Sequence, residues 1–106
     1  MSSRELTVGE LLDALTDRFP IHWAEPWDRG GLVVGGTNPR VTGAVVALDA
    51  TAEAVERAHS SGANVLVTHH PPYLDVPERI LAGPGPAGTV EAAIRCGIAI
   101  ISLHTN

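Results

Sequence analysis

The chain has 106 residues, of which 44% are hydrophobic and 18% charged, a composition typical of one globular domain rather than a disordered segment. Its net charge is −5 and its basic residues are scattered arginines, which argues against an electropositive nucleic-acid groove. The apolar runs are too short to span a membrane, and the single cysteine, Cys96, cannot form an intramolecular disulfide. We therefore expect a cytoplasmic protein that binds neither nucleic acid nor membrane.

The amino-terminal segment predicts an amphipathic helix. Thr7 and Glu10 have the spacing of a capping box, and apolar residues follow at helical intervals as far as Phe19. Pro20 ends this helix. The next segment, residues 21–31, predicts a loop that carries both tryptophans.

Short apolar runs and helical segments alternate in the rest of the chain. The strands are predicted at residues 31–34, 43–48, 64–68 and 98–103. The helices are predicted at residues 51–61, capped by Thr51 or Asp49, and at residues 89–96, capped by Thr89. The glycine- and proline-rich residues 83–88 predict a loop between them.

This alternation predicts an α/β fold of the three-layer type, with helices packed on a parallel or mostly parallel sheet. The continuously apolar run at residues 43–48 is typical of a strand covered on both faces. We expect it to be adjacent and parallel to the strands at 64–68 and 98–103. No linker divides the chain, so residues 1–106 are predicted to form a single domain.

Three of the five histidines follow two of the predicted strands. His69 and His70 come after one strand, and His104 comes after the next. Because the carboxyl ends of parallel strands meet at one edge of a sheet, we expect the three imidazoles to converge there. Imidazole nitrogens are ligands for divalent metals such as zinc, iron or manganese. The adjacent pair could ligate two metals, or one ring could ligate while the other orients it.

Two aspartates are candidates for a supporting role. Asp49 ends a predicted strand at the same edge, whereas Asp28 lies in a loop and is either a loop hydrogen bonder or a site residue. Either carboxylate could orient a metal ligand or a water molecule. The remaining histidines, His22 and His59, are interpreted as ordinary surface residues, and Cys96 as a small buried apolar group.

Four motifs resemble those of the NIF-three-like family of dinuclear-metal proteins, also named GTP cyclohydrolase type-two homologues. Their order and spacing match over nearly the whole chain. The motifs are Trp-Asp-Arg-Gly-Gly-Leu-Val-Val-Gly at 27–35, Ala-Leu-Asp-Ala-Thr at 47–51, Thr-His-His-Pro-Pro at 68–72 and His-Thr-Asn at 104–106. Arg29 and Gly30 stand where this family more often has an asparagine-containing loop.

The resemblance implies an α/β fold of two similar halves, up to two divalent metal ions and a toroidal hexamer. It assigns His69, His70 and His104 as metal ligands. The family's other ligands, an aspartate shortly after the last histidine and a distant histidine and glutamate, would lie beyond Asn106. We therefore expect the amino-terminal portion of a longer architecture, with an incomplete metal site, that associates with copies of itself.

The function that this resemblance implies is metal-dependent hydrolysis, in which metals activate a water molecule and polarise the substrate. The family name suggests opening of the purine ring of GTP, although no residue of the chain selects a purine. No catalytic residue is identified. The alternative is a non-catalytic metal-binding or scaffolding protein, because three histidines alone leave a pair of metals under-coordinated.

Overall fold

A computed structural model describes residues 5–106. Over this range the chain forms four strands, three α-helices and one turn of 3₁₀-helix. The elements are α1 (Val8–Arg18), the 3₁₀ turn (Ile21–Trp23), β1 (Gly31–Val34), β2 (Ala44–Ala47), α2 (Ala52–Ser60), β3 (Val65–Thr68), α3 (Pro86–Cys96) and β4 (Ala99–Ser102).

The strands form one sheet in the order β1-β4-β3-β2. The strands β2, β3 and β4 are adjacent and parallel, which confirms the prediction, and β1 pairs antiparallel with β4. In the register of β3 with β4, Val65 lies opposite Ala99 and Thr68 lies opposite Ser102. The two strands therefore end at the same level, and the residues that follow them emerge at one edge of the sheet.

Helices cover both faces of β3 and β4, so the predicted three-layer arrangement is confirmed. On one face, Val65 and Ile101 pack with Val8 of α1. On the other face, Leu66 and Ile100 pack in a larger cluster with α2 and α3. Burial on both faces explains why these two strands have nearly continuous apolar sequences.

The first two helices begin where the sequence predicts. Thr7 and Glu10 form the expected capping box at α1, although Phe19 at the end of that helix is 43% exposed rather than part of the core. The side chain of Thr51 caps α2 by accepting a hydrogen bond from the backbone N–H of Ala54. Asp49, the alternative cap, instead contacts the ring of His70.

The prediction for the start of α3 was wrong. The helix begins at Pro86, so the second half of the predicted loop is its first turn. Proline suits that position because its φ is already helical and its missing N–H would have no partner there. Thr89 lies inside the helix and donates its hydroxyl to the carbonyl of Ala50. Cys96, predicted to be buried, is half-buried beside the core.

The strand β2 also differs from the prediction, because only one of its faces is covered. Val45 and Ala47 pack on the core beneath α2 and α3. On the opposite face Val46 is 79% exposed and Leu48 is 61% exposed. The strand is at the edge of the sheet, and its exposed side chains form an open apolar strip with Val67 and Leu103.

No helix in the described part of the chain is both long enough and apolar enough to cross a membrane.

Gly88 in the first turn of α3 provides a test of the tight proline-glycine segment. A Cβ added at this residue would clash with the carbonyl oxygen of Gly83, a backbone atom that cannot move aside alone. We expect Gly88→Ala to lower the free energy of unfolding by about 2 kcal/mol or more, measured by urea denaturation. Gly36→Ala is the control, since its Cβ would meet nothing closer than 4.0 Å. Equal stability of the two variants would contradict this packing.

The open strip generates a prediction about assembly. We propose that a second copy of the chain covers Val46 and Leu48, because contiguous exposed apolar surface favours association. Val46→Asp should then reduce the fraction of oligomer in sedimentation velocity. Ile94→Asp is the matched control, since Ile94 is 65% exposed but lies on α3, on the other side of the sheet. A wild-type chain that sediments as a monomer at all concentrations would contradict the proposal.

Candidate metal centre

The three histidines that follow β3 and β4 converge at the carboxyl edge of the sheet. The ring centroid of His69 lies 4.7 Å from that of His70 and 5.1 Å from that of His104, and the last two are 5.4 Å apart. One ring nitrogen from each residue can be chosen so that all three lie within 4.8 Å of one another. The convergence predicted from the strand ends is therefore observed, and ligation of a metal stays a prediction.

The Nδ1 atom of each ring faces an acceptor from the chain itself. In His70 it lies 2.6 Å from the carboxylate of Asp49, and in His104 it lies 3.2 Å from that of Asp28. In His69 it lies 3.3 Å from the carbonyl oxygen of Leu103. These acceptors assign the proton to Nδ1, which leaves the lone pair on each Nε2 free for a metal ion.

Asp28 is the most highly connected of these acceptors. Its side chain is only 1% exposed. It accepts hydrogen bonds from the backbone N–H groups of Arg29 and Thr105, from the Thr105 hydroxyl and from the His104 ring. Four donors fill the acceptor capacity of one carboxylate. The role of Asp28 is therefore to fix the positions of Arg29, Thr105 and the His104 ring.

Opposing effects act on the pKa of Asp28. Burial raises this pKa, whereas the hydrogen bonds from Thr105, Arg29 and His104 lower it, and the net result lies below the ordinary value of 3.8. Asp28 is therefore charged at neutral pH. A charged, buried acceptor beside His104 keeps the proton of that ring on Nδ1.

Asp49 differs from Asp28 in its surroundings. Its side chain is 58% exposed, and its contact with the partly exposed His70 ring lies at the solvent boundary. The two aspartates named from the sequence thus both contact histidine rings. His22 and His59 lie on the surface outside the cluster, in agreement with their interpretation as ordinary residues.

Thr105 is a site residue that the sequence reasoning missed. Its hydroxyl donates to Asp28 and accepts a hydrogen bond from the backbone N–H of Glu25, so it joins the tryptophan-bearing loop to the end of the chain. The exposed Trp27 in this loop stands edge-on to His104, with the ring centroids 5.9 Å apart. The position of Thr105 directly after His104 was the signal that could have identified it.

The sequence model that describes the Duf34/NIF3 (NGG1p interacting factor 3) family matches residues 6–106. The chain belongs to this family. Proteins named GTP cyclohydrolase 1 type 2 homolog are similar to it, one from Streptomyces coelicolor being 36% identical over 99 residues and one from Staphylococcus epidermidis 33% over 101 residues. These matches cover 93% and 95% of this chain, but only 35% and 27% of the relatives.

Two solved structures share the fold. The Staphylococcus aureus hypothetical protein SA1388 superposes with a TM-score of 0.91 at 31% identity, over 98% of this chain and 30% of its own. A Bacillus cereus protein related to NIF3 gives 0.89 at 32% identity, over 97% of this chain and 28% of its own. This Duf34/NIF3 chain thus spans about a third or less of the length of its relatives.

The buried network around Asp28 predicts a pH-dependent loss of stability. Asp28→Asn places an amide N–H₂ among hydrogen-bond donors, so we expect the free energy of unfolding at pH 7 to fall by about 1–3 kcal/mol. Because the folded state lowers the pKa of Asp28, its ionisation stabilises the fold above the ordinary pKa, and this contribution is lost as the pH falls through the lowered value.

The measurement is urea denaturation of both proteins between neutral and strongly acidic pH. The difference between wild type and Asp28→Asn should narrow in acid. Asp13→Asn on the exposed surface of α1 is the control and should change stability by less than about 0.5 kcal/mol. A difference that stays constant over the whole pH range would show that the charge of Asp28 does not stabilise the fold.

Proposed function

We propose that this chain is the divalent-metal-binding portion of a metal-dependent hydrolase of the Duf34/NIF3 family. The observation that carries the proposal is the common arrangement of three imidazoles, His69, His70 and His104, each with its Nδ1 engaged behind the ring. A ring bound in this way needs no reorientation or change of tautomer before its Nε2 binds a metal.

Three imidazole nitrogens are a set of ligand atoms that suits a transition metal. Neutral imidazole is a ligand of zinc and iron, and three of them leave further coordination positions for water or substrate. The negative charges of Asp28 and Asp49, each in contact with a histidine ring, offset part of the charge of a divalent cation. Since the described residues bring together three histidines and no carboxylate ligand, we propose that this chain by itself holds one ion rather than two.

A divalent ion held here would supply a Lewis acid and would lower the pKa of a bound water molecule. The chain's own residues keep the rings fixed and leave the site accessible, because His69 and His70 are exposed. Asp28 is saturated by donors and therefore serves to hold His104 rather than to accept a proton from substrate. The relatives' name, GTP cyclohydrolase 1 type 2 homolog, favours a nucleotide as the substrate of the whole protein.

A second candidate is a non-catalytic metal-binding or scaffolding role. It is favoured by the composition of the cluster, which among the described residues has three histidines and no carboxylate ligand. Both nearby aspartates instead contact ring nitrogens. Turnover of a nucleotide or phosphoester that is lost on chelation would support the hydrolase. One equivalent of bound metal without such turnover would support the scaffold.

Metal titration tests the site directly. We expect the wild type to bind about one Zn²⁺ or Mn²⁺ per chain, and His69→Ala, His70→Ala and His104→Ala each to weaken binding by more than about 100-fold, measured by competition with a chromogenic chelator. Affinity should decrease in acid because protons compete for the same nitrogens.

The matched controls are His22→Ala and His59→Ala, which remove exposed histidines away from the cluster. These variants should bind metal as the wild type does. If the three cluster variants also bind with wild-type affinity, the metal is held elsewhere and the proposal is wrong.

A further inference from the structure

Two buried hydroxyl groups lie directly beneath the histidines, at the ends of neighbouring strands. Thr68 is the last residue of β3 and is 1% exposed, and Ser102 is the last residue of β4 and is fully buried. They are register partners in the parallel pairing. Ser102 is the polar residue of an otherwise apolar, completely buried strand, and a buried hydroxyl requires a hydrogen-bond partner.

Both hydroxyls bind the backbone of the adjacent histidines. The Thr68 hydroxyl donates to the carbonyl oxygen of His70 at 2.8 Å, and the Ser102 hydroxyl donates to that of His69 at 3.3 Å. No other donor in residues 5–106 reaches these two carbonyls. The hydroxyls thus complete the hydrogen bonding of a segment that has already left the sheet.

The N–H groups of the same segment show how far it departs from strand geometry. The N–H of His69 donates to Ala47 at 3.3 Å, and the N–H of His70 donates to Leu48 at 2.9 Å. In a regular strand, successive N–H groups point to opposite sides, and successive side chains lie on opposite faces. Here both N–H groups point towards β2, so the backbone has turned between them. This turn is what allows both imidazoles to face one site.

We propose that Thr68 and Ser102 are positioning residues of the metal centre. Their hydroxyls fix the His69 and His70 carbonyls, and this fixes the orientation of the two peptide groups that carry the rings. The inference rests on the proposed metal-binding function and extends it to two residues that touch no metal. Without the hydroxyls, the carbonyls would turn towards water and the two Nε2 atoms would move apart.

The test removes each hydroxyl and keeps the histidines. Thr68→Val and Ser102→Ala should each weaken Zn²⁺ binding about tenfold in chelator competition, as loss of a group that orients a ligand typically does. Thr68→Ser retains the hydroxyl and should keep wild-type affinity. Thr42→Val is the matched control, because the Thr42 hydroxyl donates over the same 2.8 Å to the Gly62 carbonyl at the opposite end of the sheet.

A second readout uses the metal-free protein. Two-dimensional ¹H–¹⁵N spectra of the imidazoles should show shifted signals for His70 in Thr68→Val and for His69 in Ser102→Ala, and unchanged signals in Thr42→Val. A residue that only stabilised the fold would lower the urea midpoint without changing these signals. If Thr68→Val does not fold, Ser102→Ala is the variant without a hydroxyl, and it is compared with Thr68→Ser, which retains one.

The possible failures are distinguishable. A wild type that binds no Zn²⁺ overturns the proposed function, and the imidazole spectra then decide whether the hydroxyls position the rings. A wild type that binds Zn²⁺, with Thr68→Val and Ser102→Ala that fold and bind it equally well, overturns the positioning inference and leaves the metal site intact. Unchanged imidazole signals in both variants overturn the inference as well.

Discussion

The parallel register of β3 and β4 brings Thr68 level with Ser102. The residues that follow both strands leave the sheet at the same level. His69 and His104 therefore emerge as neighbours although they are 35 positions apart in the sequence. A shift by one residue in this register would separate the rings and turn their side chains to different faces. Burial of β3 and β4 on both faces holds the register, because a shift would also displace Leu66 and Ile100 from the core.

The two aspartates stabilise the rings in different environments. Asp28 is desolvated and saturated with donors, so its bond to His104 is held by a network that includes Thr105 and the backbone of Arg29. Asp49 is exposed and bonds the ring of His70 at the solvent boundary. An exposed hydrogen bond of this kind contributes little to stability, since water competes for both partners. We therefore expect His104 to be the most rigid of the three rings.

The sequence sufficed for the parts of the structure that follow from local pattern. Capping residues predicted the starts of α1 and α2, and continuous apolar runs predicted the parallel strands. The start of α3 could not be predicted from Thr89, because Pro86 and Gly85 allow the helix to begin one turn earlier. The pattern at residues 43–48 likewise could not show which strand lies at the edge. An apolar run indicates that a strand can be buried, but coverage depends on where α1 lies.

The candidate site was predictable to the extent that its residues follow strands. The positions of His69, His70 and His104 were sufficient to expect their convergence. The contact of Asp28 with His104 was not predictable, since the two residues are 76 positions apart and the contact depends on the conformation of the loop between α1 and β1. The hydroxyls of Thr68 and Ser102 gave no separate signal either. Threonine and serine at strand ends are common. Only the direction of the His69 and His70 carbonyls shows that these two hydroxyls bind them.

The open apolar strip and the histidine cluster are parts of one surface. His69 lines the same depression as Val46, Leu48 and Leu103, and the carbonyl of Leu103 also binds the His69 ring. A partner surface packed on this strip would therefore exclude water from one side of the imidazoles. Lower local polarity strengthens the interaction of the charged Asp49 with His70 and with a bound cation. Association at β2 and metal affinity at the strand ends should consequently be coupled, with each favouring the other.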